Sequence, residues 1–438
     1  MIRTMKKLLI IILTTCLSLK IQAQVPVPAG PQAEAILLQG GIAHLGNGRV
    51  IKNSLIGFDD GKITLVADAT TAKIDVAGYK IIDISGQHVY PGFILPNSQV
   101  GLSEVSSIRA MSDNQETGGL NPSVRSLVAY NTDSEVPPTL RFNGILLAES
   151  TPTGGFISGT SSVMKMDGWN WEDAVEKADV GIHMNWPNRQ NRHFDFATFT
   201  IKNVKNDKYD SQVEMISKLF EDALAYGKSP SKIRNLKLEA LQGLFDGSKA
   251  LFIHTRATKE IVESVTMAEK YEVKRIVLVA GTNALPVAAF LKQHNIPVVL
   301  QSVHSQPDRP GMDVDLPYRL PAELSKAGVM VALSHNGMLA LARNLPFYAG
   351  TAVAYGMKKE DAIKSITSNP AKILGIDSKV GTLEEGKEAT LFVSKGDALD
   401  IRTNILTHAY IQGRTVTLDG RQQALYKRYS KKYGFPAK

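Results

Sequence analysis

No His-x-His and no His-x-x-x-His pair occurs among the nine histidines, and the only cysteine is Cys16. The first absence removes the spacings that most readily bring two imidazoles onto one metal ion. The second leaves any chain that begins after residue 23 without a disulfide, a thiolate nucleophile or a cysteine ligand. No Gly-Lys-Ser/Thr follows the glycine-rich stretch Gly154-Gly155 and Ser158-Gly159-Thr160, which therefore reads as a turn and not as a phosphate cradle. Thr160-Ser161-Ser162 offers hydroxyls with no partner base in a recognisable motif. The apolar run Leu8 through Leu17 is too short to cross a hydrocarbon layer of about 30 Å at ~1.5 Å per residue. No membrane span is expected from it.

What is present at the start is a basic opening (Arg3, Lys6, Lys7), that apolar run, and Ile21-Gln22-Ala23 with a small residue at the cleavage position. This order predicts a signal peptide over 1–23 and export to the periplasm or beyond. Leu13-Thr14-Thr15-Cys16 is a poorer lipoprotein box. Removing the signal lowers the formal charge from +8 to +4, and setting aside the basic tail 425–438 brings the body to −1. A near-neutral body argues against a nucleic-acid partner, which requires a clustered basic face. The tail, with Tyr426, Tyr429 and Tyr433 among its cations, reads as a solvated terminal segment.

After a Pro-rich linker (24–33), short β-like runs separated by Gly and Asp predict a small sheet over 34–90. Similar runs recur over 380–424. Between them, over 91–379, apolar runs alternate with helical patterns, as a parallel sheet with crossover helices requires. The eight runs are Gly92 to Pro96, Gly144 to Ala148, Ser162 to Met166, Val180 to Met184, Ala250 to His254, Arg275 to Val279, Pro297 to Gln301 and Gly328 to Ser334. They predict a (β/α)8 barrel. Helices are expected over Ser211 to Tyr226, Leu236 to Phe245, Thr258 to Tyr271 and Ala284 to Gln293. Another is expected in Asn369-Pro370-Ala371-Lys372-Ile373-Leu374-Gly375, with Asn as cap and Gly as stop. The segment carrying Glu104, Arg109 and Asp113 is long enough to cover the barrel's opening. Trp169, Trp171 and Trp186 read as packing residues in preference to a stacking platform.

Two stretches carry a family resemblance. Tyr90-Pro91-Gly92-Phe93-Ile94-Leu95-Pro96-Asn97-Ser98-Gln99 resembles the entry strand of the metal-dependent amidohydrolase superfamily, imidazolonepropionase-like branch, whose pattern reads Pro-Gly-Phe/Leu-Ile-Asp-x-His-x-His. Asn369 to Gly375, followed by Gly381-Thr382-Leu383-Glu384-Glu385-Gly386-Lys387, resembles its exit signature, so the likeness spans roughly 34 to 420. It implies an α/β fold: a (β/α)8 barrel with a small β-sandwich built from both chain ends.

It also implies hydrolysis of carbon–nitrogen bonds by a metal-activated water, with ligands at the ends of strands one, five, six and eight. Here those positions hold Asn97 and Gln99, His254, Ala280, and Asn336. His254 is the one retained ligand type, Ala280 cannot coordinate, and Asn336 cannot serve as a base. The strand-four run Val180 to Asn185 lacks the lysine of binuclear relatives, although His183, His304 and His335 also fall near strand ends. Four substituted positions out of five predict no metal cofactor, with zinc as the alternative. The expectation is a pseudoenzyme in which Asn97, Gln99, His254 and Asn336 bind a small neutral ligand, or a subunit that partners a related amidohydrolase. The other reading is an active divergent amidohydrolase acting on cyclic amides or small peptide-like substrates.

Overall fold

A computed structural model describes residues 27–436 except 74, 106, 197, 229–232, 302, 308–310 and 336. The expected signal segment with Cys16, and Asn336, lie outside the described residues. The N-terminal strands are β1 (Ile36–His44), β2 (Val50–Asp59), β3 (Lys62–Asp68), β4 (Lys80–Asp83) and β5 (His88–Pro91). Asp60 and Gly61 between β2 and β3 both have positive φ, at 44° and 73°. A two-residue hairpin matching the strand twist needs that geometry, and an Asp-Gly pair supplies it.

The barrel sheet is built from β6 (Phe93–Ser98), β7 (Ile145–Ser150), β8 (Ile157–Lys165), β9 (Val175–Asn185), β12 (Ala250–His254), β13 (Ile276–Ala280), β14 (Val298–Leu300) and β15 (Val331–Leu333). Between β9 and β12 lies a separate ribbon, β10 (Gln190–Asp195) with β11 (Thr200–Lys205). The chain then returns to the terminal sheet with β16 (Leu391–Ser394), β17 (Leu406–Ile411) and β18 (Arg414–Thr415). That sheet runs β18-β17-β16-β5-β1-β2-β3 with β4 alongside β1, so both chain ends pair in one sheet through β16 against β5. Gly144, at φ +84°, sets the approach of barrel to sheet: a Cβ there would come within 2.6 Å of the Phe392 ring.

The barrel sheet runs β15-β14-β13-β12-β9-β8-β7-β6 and differs from an all-parallel barrel at one strand. β8 is antiparallel to both β7 and β9. The reason is loop length: only residues 151–156 separate β7 from β8, whereas a parallel crossover takes a dozen or more. The expected third strand, Ser162 to Met166, is thus the far end of a reversed strand. Closure between the edge strands β6 and β15 is nearly complete. Ser334 Oγ donates to Pro96 O (2.6 Å), and residues 365–366 bridge the gap, with Leu333 N donating to Ser365 O and Ile94 N to Ile366 O.

The helices Tyr209–Lys228 and Thr258–Lys270 fall where the pattern placed them. The expected 284–293 helix narrows to Ala288–Gln293, because Pro286 confines the preceding turn to 3-10 geometry. The 236–245 run divides into Leu236–Ala240 and Gln242–Asp246. The last helix of the exit signature, Ser368–Leu374, starts before Pro370 and ends on Gly375 at φ 68°. The basic tail forms a helix, Arg421–Tyr433, in which Ser430 is buried and Tyr426, Tyr429 and Tyr433 are exposed. No helix among the described residues is long and apolar enough to cross a membrane.

Candidate functional site

The open end of the barrel gathers the C-terminal ends of the parallel strands and the N-terminal end of β8. A cavity of about 190 Å³ sits there, lined by Asn97, Gln99, Thr151, His254, Gln301 and His335 among others. Three of the five family-equivalent positions are accounted for in this lining: Asn97, Gln99 and His254. Ala280 ends β13 but is buried in the apolar core, outside the lining. Asn336 lies outside the described residues, while its neighbours His335 and Gly337 reach the cavity.

Beneath the cavity lies a network that the sequence reading missed. Glu149, fully buried at the end of β7, accepts three hydrogen bonds: from Asn97 N (2.8 Å) to Oε2, and from Ser161 Oγ (2.7 Å) and His183 Nε2 (3.1 Å) to Oε1. Asn97 presents its N–H from a left-handed conformation, φ 49°, that asparagine tolerates better than most residues. His183 on β9 also touches Ser161 Oγ at 3.0 Å, and its Nδ1 lies 3.0 Å from Nε2 of His254. The Phe252 ring stacks on His183 with centroids 4.6 Å apart. Gly181, two residues before His183, makes room for that ring, because a Cβ there would overlap it.

Ser161, His183 and Glu149 have the residue types of a nucleophilic triad, so the hydroxyls at 160–162 do have a partner base. Ser161 is fully buried, however, and absent from the cavity lining. Only His254 carries the chain Glu149–His183–His254 to the cavity. Burial, aided by the adjacent His183, pushes the His254 imidazole down to about 3, so it is neutral across ordinary pH. Its Nε2 is committed to His183 and no described residue engages its Nδ1.

Other lining groups are partly free. Gln99 Oε1 accepts from Asn114 Nδ2 (2.7 Å), its Nε2 has no partner among the described residues, and none of Glu104, Arg109 and Asp113 lines the cavity. Thr151 Oγ1 is buried without a hydrogen-bond partner among the described residues. His335 is held on both nitrogens, by Tyr348 Oη (2.8 Å) and Met338 O (2.9 Å). Trp186 is buried, with its Nε1 donating to Tyr209 Oη (3.0 Å), a packing role, while Trp169 is exposed.

A metal of the kind the resemblance implies would need several ionisable donors aimed at one point. The donors here are otherwise engaged: Glu149 by three hydrogen bonds, His183 on both nitrogens, His254 on one. No group of three or more His, Asp, Glu or Cys placed to hold a metal occurs among the described residues.

The barrel, its opening ringed by strand ends, is joined to a sheet made of strands from both the N-terminal and the C-terminal parts of the chain. Residues 244–418 match the amidohydrolase family model. That match covers the second half of the barrel and the return to the terminal sheet. Among solved structures the chain is similar to an amidohydrolase from Thermotoga maritima MSB8 (24% identity, 87% of this chain and 99% of that chain, TM-score 0.76). It is also similar to a molinate hydrolase (15%, 88% and 95%, TM-score 0.54) and to a zinc-bound adenosine deaminase from Xanthomonas campestris (13%, 92% and 99%, TM-score 0.51). At these identities the likeness is one of fold. No curated protein matches the sequence.

Proposed function

We propose that this chain is an exported amidohydrolase homologue that works without a metal, binding a small neutral ligand at its barrel mouth and serving as a binding or partner subunit. In this reading the terminal sheet is the small β-sandwich beside the barrel. The observation that carries the proposal is the group set of the cavity: amides at Asn97, Gln99 and Gln301, a Thr151 hydroxyl with no partner among the described residues, the neutral imidazole of His254, and His335 engaged on both ring nitrogens. Such groups hydrogen-bond to an uncharged molecule. They do not replace a hard-anion or imidazole cage, which takes about four ligands acting together. The family reaction requires the metal to bring a water's pKa from about 15.7 to roughly 7, and alanine at 280 and asparagine at 336 supply neither a ligand nor a base.

The zinc of the adenosine deaminase belongs to that protein, and elemental analysis tests whether it belongs to this one. The purified protein should carry no stoichiometric transition metal and hydrolyse no simple amide. Joint replacement Asn97→His, Gln99→His, Ala280→His and Asn336→Asp should be the minimum change that permits zinc uptake. About one zinc per chain in the unmodified protein, lost in His254→Ala together with a measurable amidase activity, would overturn the proposal in favour of a divergent hydrolase.

A further inference from the structure

The chain Glu149–His183–His254 has a direction. Two of the donors to Glu149 are a backbone N–H and a hydroxyl, so its carboxylate acts as an acceptor. A third partner at 3.1 Å must then be a donor, which places the hydrogen of His183 on Nε2. While it is neutral, His183 has only one ring hydrogen, so its Nδ1 is then an acceptor, and the 3.0 Å contact to His254 is made by His254 Nε2–H. A neutral His254 that spends its hydrogen there keeps a bare lone pair on Nδ1, and His254 is among the residues that line the cavity. Each step follows from the one before.

We infer that Glu149, which never touches the cavity, sets the hydrogen-bond polarity of the cavity through two imidazoles and so restricts the ligand to molecules that donate an N–H or O–H to His254 Nδ1. Glu149 and His183 are positioning residues in this scheme, and His254 reads the ligand. The ligand half rests on the binding role proposed above; the polarity half rests on geometry alone.

The relay can be inverted by a single substitution. In Glu149→Gln the side-chain oxygen can keep the Asn97 N–H while the amide nitrogen faces His183 Nε2 and Ser161. Ser161 has a second acceptor in reach, Gly181 O at 3.3 Å, so its hydroxyl can turn away from the amide. His183 Nε2 must then accept, Nδ1 must carry the hydrogen, and His254 Nε2 must accept. Its Nδ1 becomes an N–H donor on a residue that lines the cavity. The substitution thus changes an acceptor into a donor two residues away without altering a lining side chain.

The test uses the full-length protein labelled with 15N-histidine. Nitrogen shifts and long-range couplings of His254 should report Nδ1 bare and Nε2 protonated in the native chain, with the reverse in Glu149→Gln. A purely structural Glu149 would not move the tautomer. Protonated Nδ1 in the native chain, or an unchanged tautomer in a folded Glu149→Gln, would overturn the inference.

Ligand-observed NMR with 2-pyrrolidinone and N-methyl-2-pyrrolidinone then reads the ligand half. The native chain should favour the N–H lactam by about 10-fold, the worth of one hydrogen bond, and Glu149→Gln should lose that preference. Equal binding of both lactams to the native chain would also overturn the inference. Failure of both to bind, with the tautomers as expected, would refute the binding role and leave the polarity of the relay established.

Discussion

Two Glu–His–His chains occur among the described residues, and they do different work. One is Glu149–His183–His254 at the barrel mouth. The other joins the terminal sheet to the barrel side: Glu360 Oε1 lies 2.8 Å from His44 Nδ1, and His44 Nε2 lies 3.1 Å from His88 Nδ1. The second chain has its acid partly open to solvent, its rings stacked with Tyr90, and Lys359 and Asp397 close by. Its last histidine lines no described cavity. The first has its acid wholly buried and saturated, and its last histidine opens onto a cavity of uncommitted amides. A shared residue pattern is therefore no guide to role. What separates the two is where the chain ends and how completely its acid is enclosed.

Removing each acid should separate them most clearly. Glu149→Ala leaves Asn97 N–H, Ser161 and His183 without their buried acceptor, and each unsatisfied group costs about 1–3 kcal/mol, so a loss of about 3 kcal/mol or more is expected. Glu360→Ala, at a side chain 22% exposed, should lose about 1 kcal/mol. Urea unfolding of the two variants checks this, and equal losses would erase the distinction.

A smaller effect is expected from Gly181→Ala, whose methyl must displace the Phe252 ring from His183. Overpacking of this kind costs about 1–3 kcal/mol and should be accompanied by a changed His183 ring environment in NMR. A variant as stable as the parent would show that the stack does not fix the relay.

The smallest expected signal is in pH. His254 is held down to about 3 in the folded chain, whereas an unfolded histidine titrates near 6.5, so between those values the unfolded state binds the extra proton. Stability should therefore fall as pH drops from about 6.5 toward about 3, and His254→Gln should flatten that slope. His88 is lowered too, first by burial and then by His44 and Lys359, and contributes in the same direction. Melting curves from pH 7 to pH 4 distinguish the two, and an unchanged slope in His254→Gln would place the effect in the second chain.

Much of the architecture was legible because it is written in local signals. Asp60-Gly61 marks a hairpin, Gly375 a helix stop, and the apolar runs from 250 to 333 coincide with β12 to β15. The reversal of β8 was not legible from periodicity, since a buried strand reads the same in both directions; the six-residue spacing after β7 was the available signal. Of the site, Asn97, Gln99 and His254 were found through their strand-end positions. Glu149 was missed, although a lone acid closing the run Ile145-Leu146-Leu147-Ala148 is itself unusual, because an acid at the end of a buried strand needs donors to satisfy it. Those donors, Asn97 N, Ser161 and His183, come from three other places in the chain and only the fold brings them together.

The reversed strand also bears on how the barrel is tied in entropy. Linking β7 to β8 closes a loop of six residues where a parallel neighbour would require a crossover of a dozen or more. Since closure entropy grows with the logarithm of loop length, each halving lowers its cost by roughly 0.6 kcal/mol. The stretch that supplies Glu149, Ser161 and His183 is thus a locally connected meander, and the relay is assembled from the part of the barrel that loses the least chain freedom in forming.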